Sequence, residues 1–328
     1  ELGFGAYRFS IEWSRIEPED GEFSRNALDH YRRMVDACRD NGVVPVVTYH
    51  HFTTPRWAAG DGGWQAPVTA DRFARFCERA AGALGDGVGI HCTLNEPNVV
   101  AVMGFYLGVF PPGTRDARAL GAATDNLIRA HRVSYEAIKA GPGDAPVGMT
   151  LSMHEFAAEP GGEAQMARAR DRMEDVWLDA CRGDDYVGVQ TYTRLRFGRD
   201  GPLGPAEGVP ALQMGYEFWP QALETTIRHA VEVAGTPVYV TENGIGTTDD
   251  DQRVQYVSAA LRRVGRCLDD GVDVRGYFYW SLLDNFEWAL GYRPTFGLVA
   301  VDRETQARTV KPSGRWLGDI ARANRFDS

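Results

Sequence analysis

Short runs of β-branched and aromatic residues alternate along this chain with longer stretches in which apolar positions recur every three or four residues. The first pattern reads as buried strand and the second as amphipathic helix, so their alternation predicts βα units and an α/β fold. Strands are expected over 5–11, 43–50, 89–94, 147–153, 186–190, 238–241 and 276–280. Helices are expected over 26–41, 70–84, 117–139, 163–178, 219–233 and 251–269. In the first of these helices Leu28, Tyr31, Val35 and Cys38 form one apolar stripe, and Gly42 behind Asn41 is a stop signal.

A closed parallel barrel needs eight strands, each followed by a helix. Seven are legible, and the shortfall lies at the start, where Glu1-Leu2-Gly3 reads as the tail of a helix. No Pro/Ser-rich linker, charge block or low-complexity run marks a boundary. The expectation is therefore one N-terminally truncated catalytic domain over 1–328, a (β/α)8 TIM barrel whose first βα unit lies outside this sequence.

Two of the strand candidates end on a glutamate beside an asparagine. They are His91-Cys92-Thr93-Leu94-Asn95-Glu96-Pro97 and Val238-Tyr239-Val240-Thr241-Glu242-Asn243-Gly244. Barrel enzymes carry their catalytic groups at the C-terminal ends of strands. Glycosidic bond cleavage needs two carboxyl groups, one to protonate the leaving oxygen and one to attack or hydrate the anomeric carbon. Two such strand ends together point to that chemistry, whereas either glutamate alone could be a surface acid.

Composition narrows the partners. The net charge is −10 and no Lys/Arg stripe breaks the mixed charge pattern, which argues against nucleic acid and anionic membranes. No run of about 18 apolar residues predicts a membrane span. Cys38, Cys77, Cys92, Cys181 and Cys267 are scattered without metal-type spacing, which fits reduced thiols in a cytoplasmic protein. The His50-His51 doublet has no metal-ligand logic of its own, so no metal site is expected.

In chain order, further segments join the two glutamate motifs. These are Tyr7-Arg8-Phe9-Ser10-Ile11-Glu12-Trp13-Ser14-Arg15, Thr48-Tyr49-His50-His51-Phe52 with Gly62-Gly63-Trp64, and Asp185-Tyr186-Val187-Gly188-Val189. The last is Tyr279-Trp280-Ser281-Leu282-Leu283-Asp284-Asn285-Phe286-Glu287-Trp288. With them the chain resembles glycoside hydrolase family 1, the β-glucosidase and β-glycosidase group, over nearly its whole length.

The resemblance implies a retaining exo-β-glycosidase, with a small-molecule β-glycoside or oligosaccharide as substrate and no cofactor. It makes Glu96 the acid/base and Glu242 the nucleophile, which requires carboxyl groups about 5–5.5 Å apart with opposite protonation states. By the same resemblance Arg8 lies near the nucleophile and Tyr192 orients it. His51, Asn95, Glu287 and Trp288 would bind sugar hydroxyls, and Trp280 would stack on the sugar. Trp57, Trp64, Trp177, Trp219 and Trp316 are core candidates, with Trp219 a second choice for the aglycone side. Loops 107–115 and 193–215 would set aglycone preference. A carboxylate at Glu287 would repel phosphate, so the expected substrate is unphosphorylated.

Three departures from the family pattern stand out. A sugar-gripping glutamine on the family's opening strand is absent, the usual Asn-Tyr-Tyr reads Gln190-Thr191-Tyr192, and an arginine before Phe296 reads Thr295. An open barrel would also leave strand edges unpaired, an association hazard that a homo-oligomer would relieve. The alternative reading is a truncated, catalytically disabled barrel that binds sugar weakly or not at all. A near variant is a transglycosidase.

Overall fold

The computed structural model describes residues 2–326. They form two compact units, one of residues 5–151 with 179–187, the other of residues 2–4, 152–178 and 188–326.

The first unit carries β1 (Ala6–Ser10), α1 (Trp13–Ile16), α2 (Arg25–Asp40), β2 (Val44–His50), α3 (Arg56–Gly60), α4 (Val68–Leu84), β3 (Ile90–Asn95), α5 (Pro97–Ala101), α6 (Ala117–Lys139) and the first part of β4 (Val147–Ala158). Strands β1, β2, β3 and β4 pair in that order, all parallel. Every residue of β3 is buried, including the polar His91, Thr93 and Asn95 that alternate with its apolar positions. Register pairs Ser10 with Thr48 and His50 with Leu94, so the strands finish level with one another. Helix starts follow their capping residues. Ser24 accepts the N–H of Ala27 (3.3 Å), and Asp116 accepts those of Arg118 and Ala119 (2.9 and 2.8 Å). On α2, Leu28, Tyr31 and Val35 are buried as the stripe predicts, and Gly42 takes a left-handed φ of 67° behind the helix. Trp13 is the centre of an aromatic core, 5.3 Å from the Phe73 ring and 5.6 Å from that of Phe76.

The second unit adds α7 (Glu163–Arg170), α8 (Val176–Ala180), β5 (Tyr186–Gly198), β6 (Gly201–Leu203), α9 (Ala222–Ala234), β7 (Val238–Asn243), α10 (Asp250–Asp269), β8 (Val274–Tyr279), β9 (Val299–Val301), β10 (Arg308–Val310) and α11 (Pro312–Ala323). Strand β5 is followed in the sheet by β7 and then by β8, with β7 and β8 parallel. Its core joins Leu212, Ile245, Tyr256, Val257, Leu298 and Leu317.

Each of the seven predicted strands is present, and three expectations change. Residues 2–4 are irregular rather than the tail of a helix, and Glu1 lies outside the described residues. They lie against α11, where a Cβ on Gly318 would stand 1.9 Å from the Leu2 carbonyl oxygen. The helix expected over 163–178 is interrupted by a π-turn at Asp171–Asp175. Within it, the buried Glu174 carboxylate accepts the backbone N–H of His154 (2.6 Å), a tertiary bond invisible to helical periodicity. Strand β5 runs eight residues past its expected end because Arg196–Gly198 pairs antiparallel with β6.

Candidate active site

In the first unit the ends of β1, β2 and β3 gather polar side chains that a strand core would otherwise exclude. Arg8 donates from Nε to Thr48 Oγ1 (3.0 Å) and from Nη2 to Asn95 Oδ1, which also accepts from Thr150 Oγ1 (3.3 Å). Arg8 can only donate, so it settles the orientation of the Asn95 amide. The Asn95 Nδ2 donor then faces away from Arg8, fully buried and without a hydrogen-bond partner among the described residues. Such a donor costs about 1–3 kcal/mol while unmet, and a ligand oxygen would satisfy it.

The histidine doublet divides between two environments. His50 packs edge-on against Trp64 and Phe73 (5.2 and 5.9 Å), and burial pushes its pKa down to about 3. His51 shares a hydrogen bond with Ser10 Oγ through Nδ1 (3.0 Å). Burial, and then the charge of Arg8, hold its pKa well below the usual range, so it is neutral at pH 7. Glu96 follows β3 directly, in the left-handed region at φ 46°, which non-glycine residues adopt mainly where surrounding structure enforces it. Here its N–H donates to Thr150 O (2.8 Å) and its carbonyl accepts from Val99 and Val100 (2.9 and 3.1 Å), opening α5 with Pro97 in the first turn.

In the second unit Tyr192, on β5, donates its phenol to Glu242 Oε2 on β7 at 2.6 Å. The frame around this pair is also hydrogen-bonded. Asn243 donates to Thr191 O (2.6 Å) and accepts from Tyr277 Oη (2.8 Å), while Tyr256 on α10 donates to Tyr192 O (2.7 Å). Gly244 has a steric reason, since a Cβ there would lie 2.2 Å from the Trp280 carbonyl oxygen. Behind β8, Asn285 Nδ2 donates to Glu287 Oε2 (2.7 Å), and the Trp280 indole donates to the same carboxylate. Burial raises the Glu287 pKa above the usual carboxylate value; Asn285 works against that rise and the charge of Glu242 adds to it. Trp288 opens a 3₁₀ turn with φ 46°.

Arg8, His51, Asn95 and Glu96 thus come together in one unit, and Tyr192, Glu242, Trp280, Glu287 and Trp288 fall in the other. Of the other tryptophans, Trp64 and Trp177 are core residues. Trp219 is covered by the Arg194 guanidinium at 3.4 Å and donates to Glu155 (3.1 Å). Thr295 has a structural part, binding Gln213 Oε1 through its N–H (2.8 Å) and Thr247 O through its hydroxyl (2.8 Å). Buried Gln190 accepts weakly from Thr241 (3.4 Å). Sequence reasoning assigned no role to Ser10, Thr150, Asn243, Tyr256, Tyr277 or Asn285. Asn243 and Asn285 lie inside motifs it used, one and two residues from a glutamate, which was the available signal. Among the described residues no three His, Cys, Asp or Glu side chains cluster as metal ligands.

The model of glycosyl hydrolase family 1 matches residues 1–196 and 199–326. A β-glucosidase of Agrobacterium sp. is 34% identical, over 98% of this chain and 81% of its own length. β-Glucosidase A of Thermotoga maritima is 33% identical, over 99% and 84%. Among solved structures, β-glycosidase BGL167 superposes with a TM-score of 0.93 at 46% identity, covering 100% of this chain and 84% of that one. The T. maritima β-glucosidase in complex with galacto-hydroximolactam gives 0.92 at 32%, covering 99% and 84%. The parallel βα units and these neighbours make the fold a (β/α)8 TIM barrel. The chain belongs to glycosyl hydrolase family 1 and is a glycoside hydrolase, a β-glycosidase acting on small-molecule glycosides.

Proposed function

We propose that the enzyme is a retaining exo-β-glycosidase that hydrolyses unphosphorylated β-D-glucosides by double displacement. In this reading Glu242 attacks the anomeric carbon while Glu96 protonates the leaving oxygen. Glu96 then removes a proton from the water that releases the glycosyl-enzyme, and configuration is kept. The observation that carries it is the 2.6 Å bond from Tyr192 to Glu242 Oε2, which fixes the rotation of a carboxylate at a strand's C-terminal end. Arg8 orients Asn95 to donate to a sugar hydroxyl. Neutral His51, Glu287 and Trp288 complete hydroxyl recognition, and Trp280 serves as the stacking platform.

The proposal includes neither a nucleic acid nor a membrane partner, in keeping with the charge of −10. Among the described residues no helix is long and apolar enough to cross a membrane. The five unpaired cysteines favour a reducing, cytoplasmic setting.

The test is Glu242→Ala with 2,4-dinitrophenyl β-D-glucopyranoside, with and without azide. The reading expects lost hydrolysis, rescued by azide with α-glucosyl azide as product. Retained hydrolysis, or rescue that yields the β-azide, would assign the nucleophile elsewhere.

A further inference from the structure

Beyond β8 the chain passes through a short loop in which every polar side chain near Glu287 has a defined partner. Ser281 Oγ lies 2.7 Å from Leu283 O and 3.1 Å from Asn285 Oδ1, and Asn285 Nδ2 lies 2.7 Å from Glu287 Oε2. A hydroxyl has one proton and an amide can turn over, so two closed arrangements exist. With Glu287 ionised, the amide NH₂ donates to the carboxylate and Ser281 shares its proton between Leu283 O and Asn285 Oδ1. With Glu287 protonated, the amide can reverse, so that Glu287 donates to Oδ1, the NH₂ donates to Ser281, and Ser281 donates to Leu283 O.

We infer that Asn285 is a positioning residue for sugar recognition, with its amide, braced by Ser281, aiming the Glu287 carboxylate and keeping it charged as an acceptor for glycone hydroxyls. This rests on the sugar-binding role proposed for Glu287. The groups facing that carboxylate are Asn285 from its own loop, the Trp280 indole at the end of β8, and Glu242 on β7, itself bonded to Tyr192 on β5. Burial opposes ionisation most and the charge of Glu242 adds to it, while the Asn285 and Trp280 donors work against both. The loop backbone is held without Asn285, through Asp284 N–H to Val299 O (3.0 Å) and Glu287 N–H to Gly291 O (2.7 Å). Removing the amide therefore leaves the loop its path.

The experiment measures kcat and KM for 4-nitrophenyl β-D-glucopyranoside across pH in the unaltered chain, Asn285→Ala and Asn285→Asp. Calorimetry of deoxynojirimycin binding and thermal melts accompany the kinetics. In Asn285→Ala the KM rises about tenfold or more, the loss of one hydrogen bond to a charged group, while kcat falls less. The acidic limb of kcat/KM moves to higher pH in Asn285→Ala, and further in Asn285→Asp, which replaces a donor by a second negative charge. Deoxynojirimycin binding weakens by a similar factor.

A limb and a dissociation constant that stay in place in a folded Asn285→Ala overturn the inference and leave the reading of Glu287 intact. A lowered melting temperature with no movement of either would show a structural role only. An unaltered chain that neither turns over glucoside nor binds deoxynojirimycin contradicts the sugar site itself, and the inference with it.

Discussion

Single side chains carry the account's most direct consequences. The bond from Tyr192 to Glu242 is short and charge-assisted, of a class that contributes about 1.5–3 kcal/mol. Tyr192→Phe is expected to lower kcat by roughly 10–100-fold with a smaller change in KM, as steady-state kinetics on an aryl glucoside would show. Glu287 offers a stability test with a definite sign. Its folded pKa lies above the ordinary carboxylate value, chiefly through burial, so the folded state binds a proton that the unfolded state has released. Its contribution is fully present below the unfolded pKa and is lost as pH rises through the folded one. Glu287→Gln should therefore melt higher than the unaltered chain at pH 7, with the advantage shrinking toward pH 4, while glucoside hydrolysis falls. Melts at the two pH values would check it. The two glutamates proposed to act in catalysis were legible because each sits in a short contiguous motif. Tyr256 was not, because the carbonyl it supports is 64 residues away in sequence. Histidines 50 and 51 could be told apart only once Trp64, Phe73 and Ser10 were in place around them.

At the scale of elements, local chemistry accounts for the positions of the strands and most helices. Runs such as 43–50 and 238–241 were readable because both faces of a parallel strand are covered, leaving an unbroken apolar signature. The boundaries came from caps, and Asp249 on α10 is a clear case, accepting from Asp251 and Gln252 (3.0 and 3.2 Å). Asp249→Ala should cost about 1 kcal/mol in denaturant unfolding. What the pattern missed depends on distant partners. The π-turn at Asp171–Asp175 goes with the bond from His154 to Glu174, and the outer half of β5 exists because β6 folds back on it. Helix α11 escaped because its glycines, Gly314 and Gly318, argue against a helix until their close backbone neighbours are known. Gly244 is the sharpest element-level test. A methyl group there meets the Trp280 carbonyl at 2.2 Å, so Gly244→Ala should displace the β7 and β8 ends, lowering both melting temperature and activity. A variant with unchanged melt and turnover would show that this contact is easily relaxed.

For the molecule as a whole, family membership is established, and length distinguishes this chain from the relatives it matches. The match to the Agrobacterium enzyme spans 373 aligned positions against the 328 residues present here, so that relative carries internal segments this chain lacks. Which aglycones are admitted was not legible, since loops 107–115 and 193–215 carry no chemistry that names a ligand. The charge of −10 does bear on substrate choice. A neutral glucoside should show a kcat/KM nearly independent of ionic strength, whereas its 6-phosphorylated counterpart should not be turned over at low or high salt. The central claim is that two glutamates act in succession through a covalent intermediate. Proton NMR of the anomeric signals during the first minutes of 4-nitrophenyl β-D-glucopyranoside hydrolysis tests this most directly. The account predicts β-glucose as the first product, with the α-anomer appearing later by mutarotation; α-glucose formed first would contradict it.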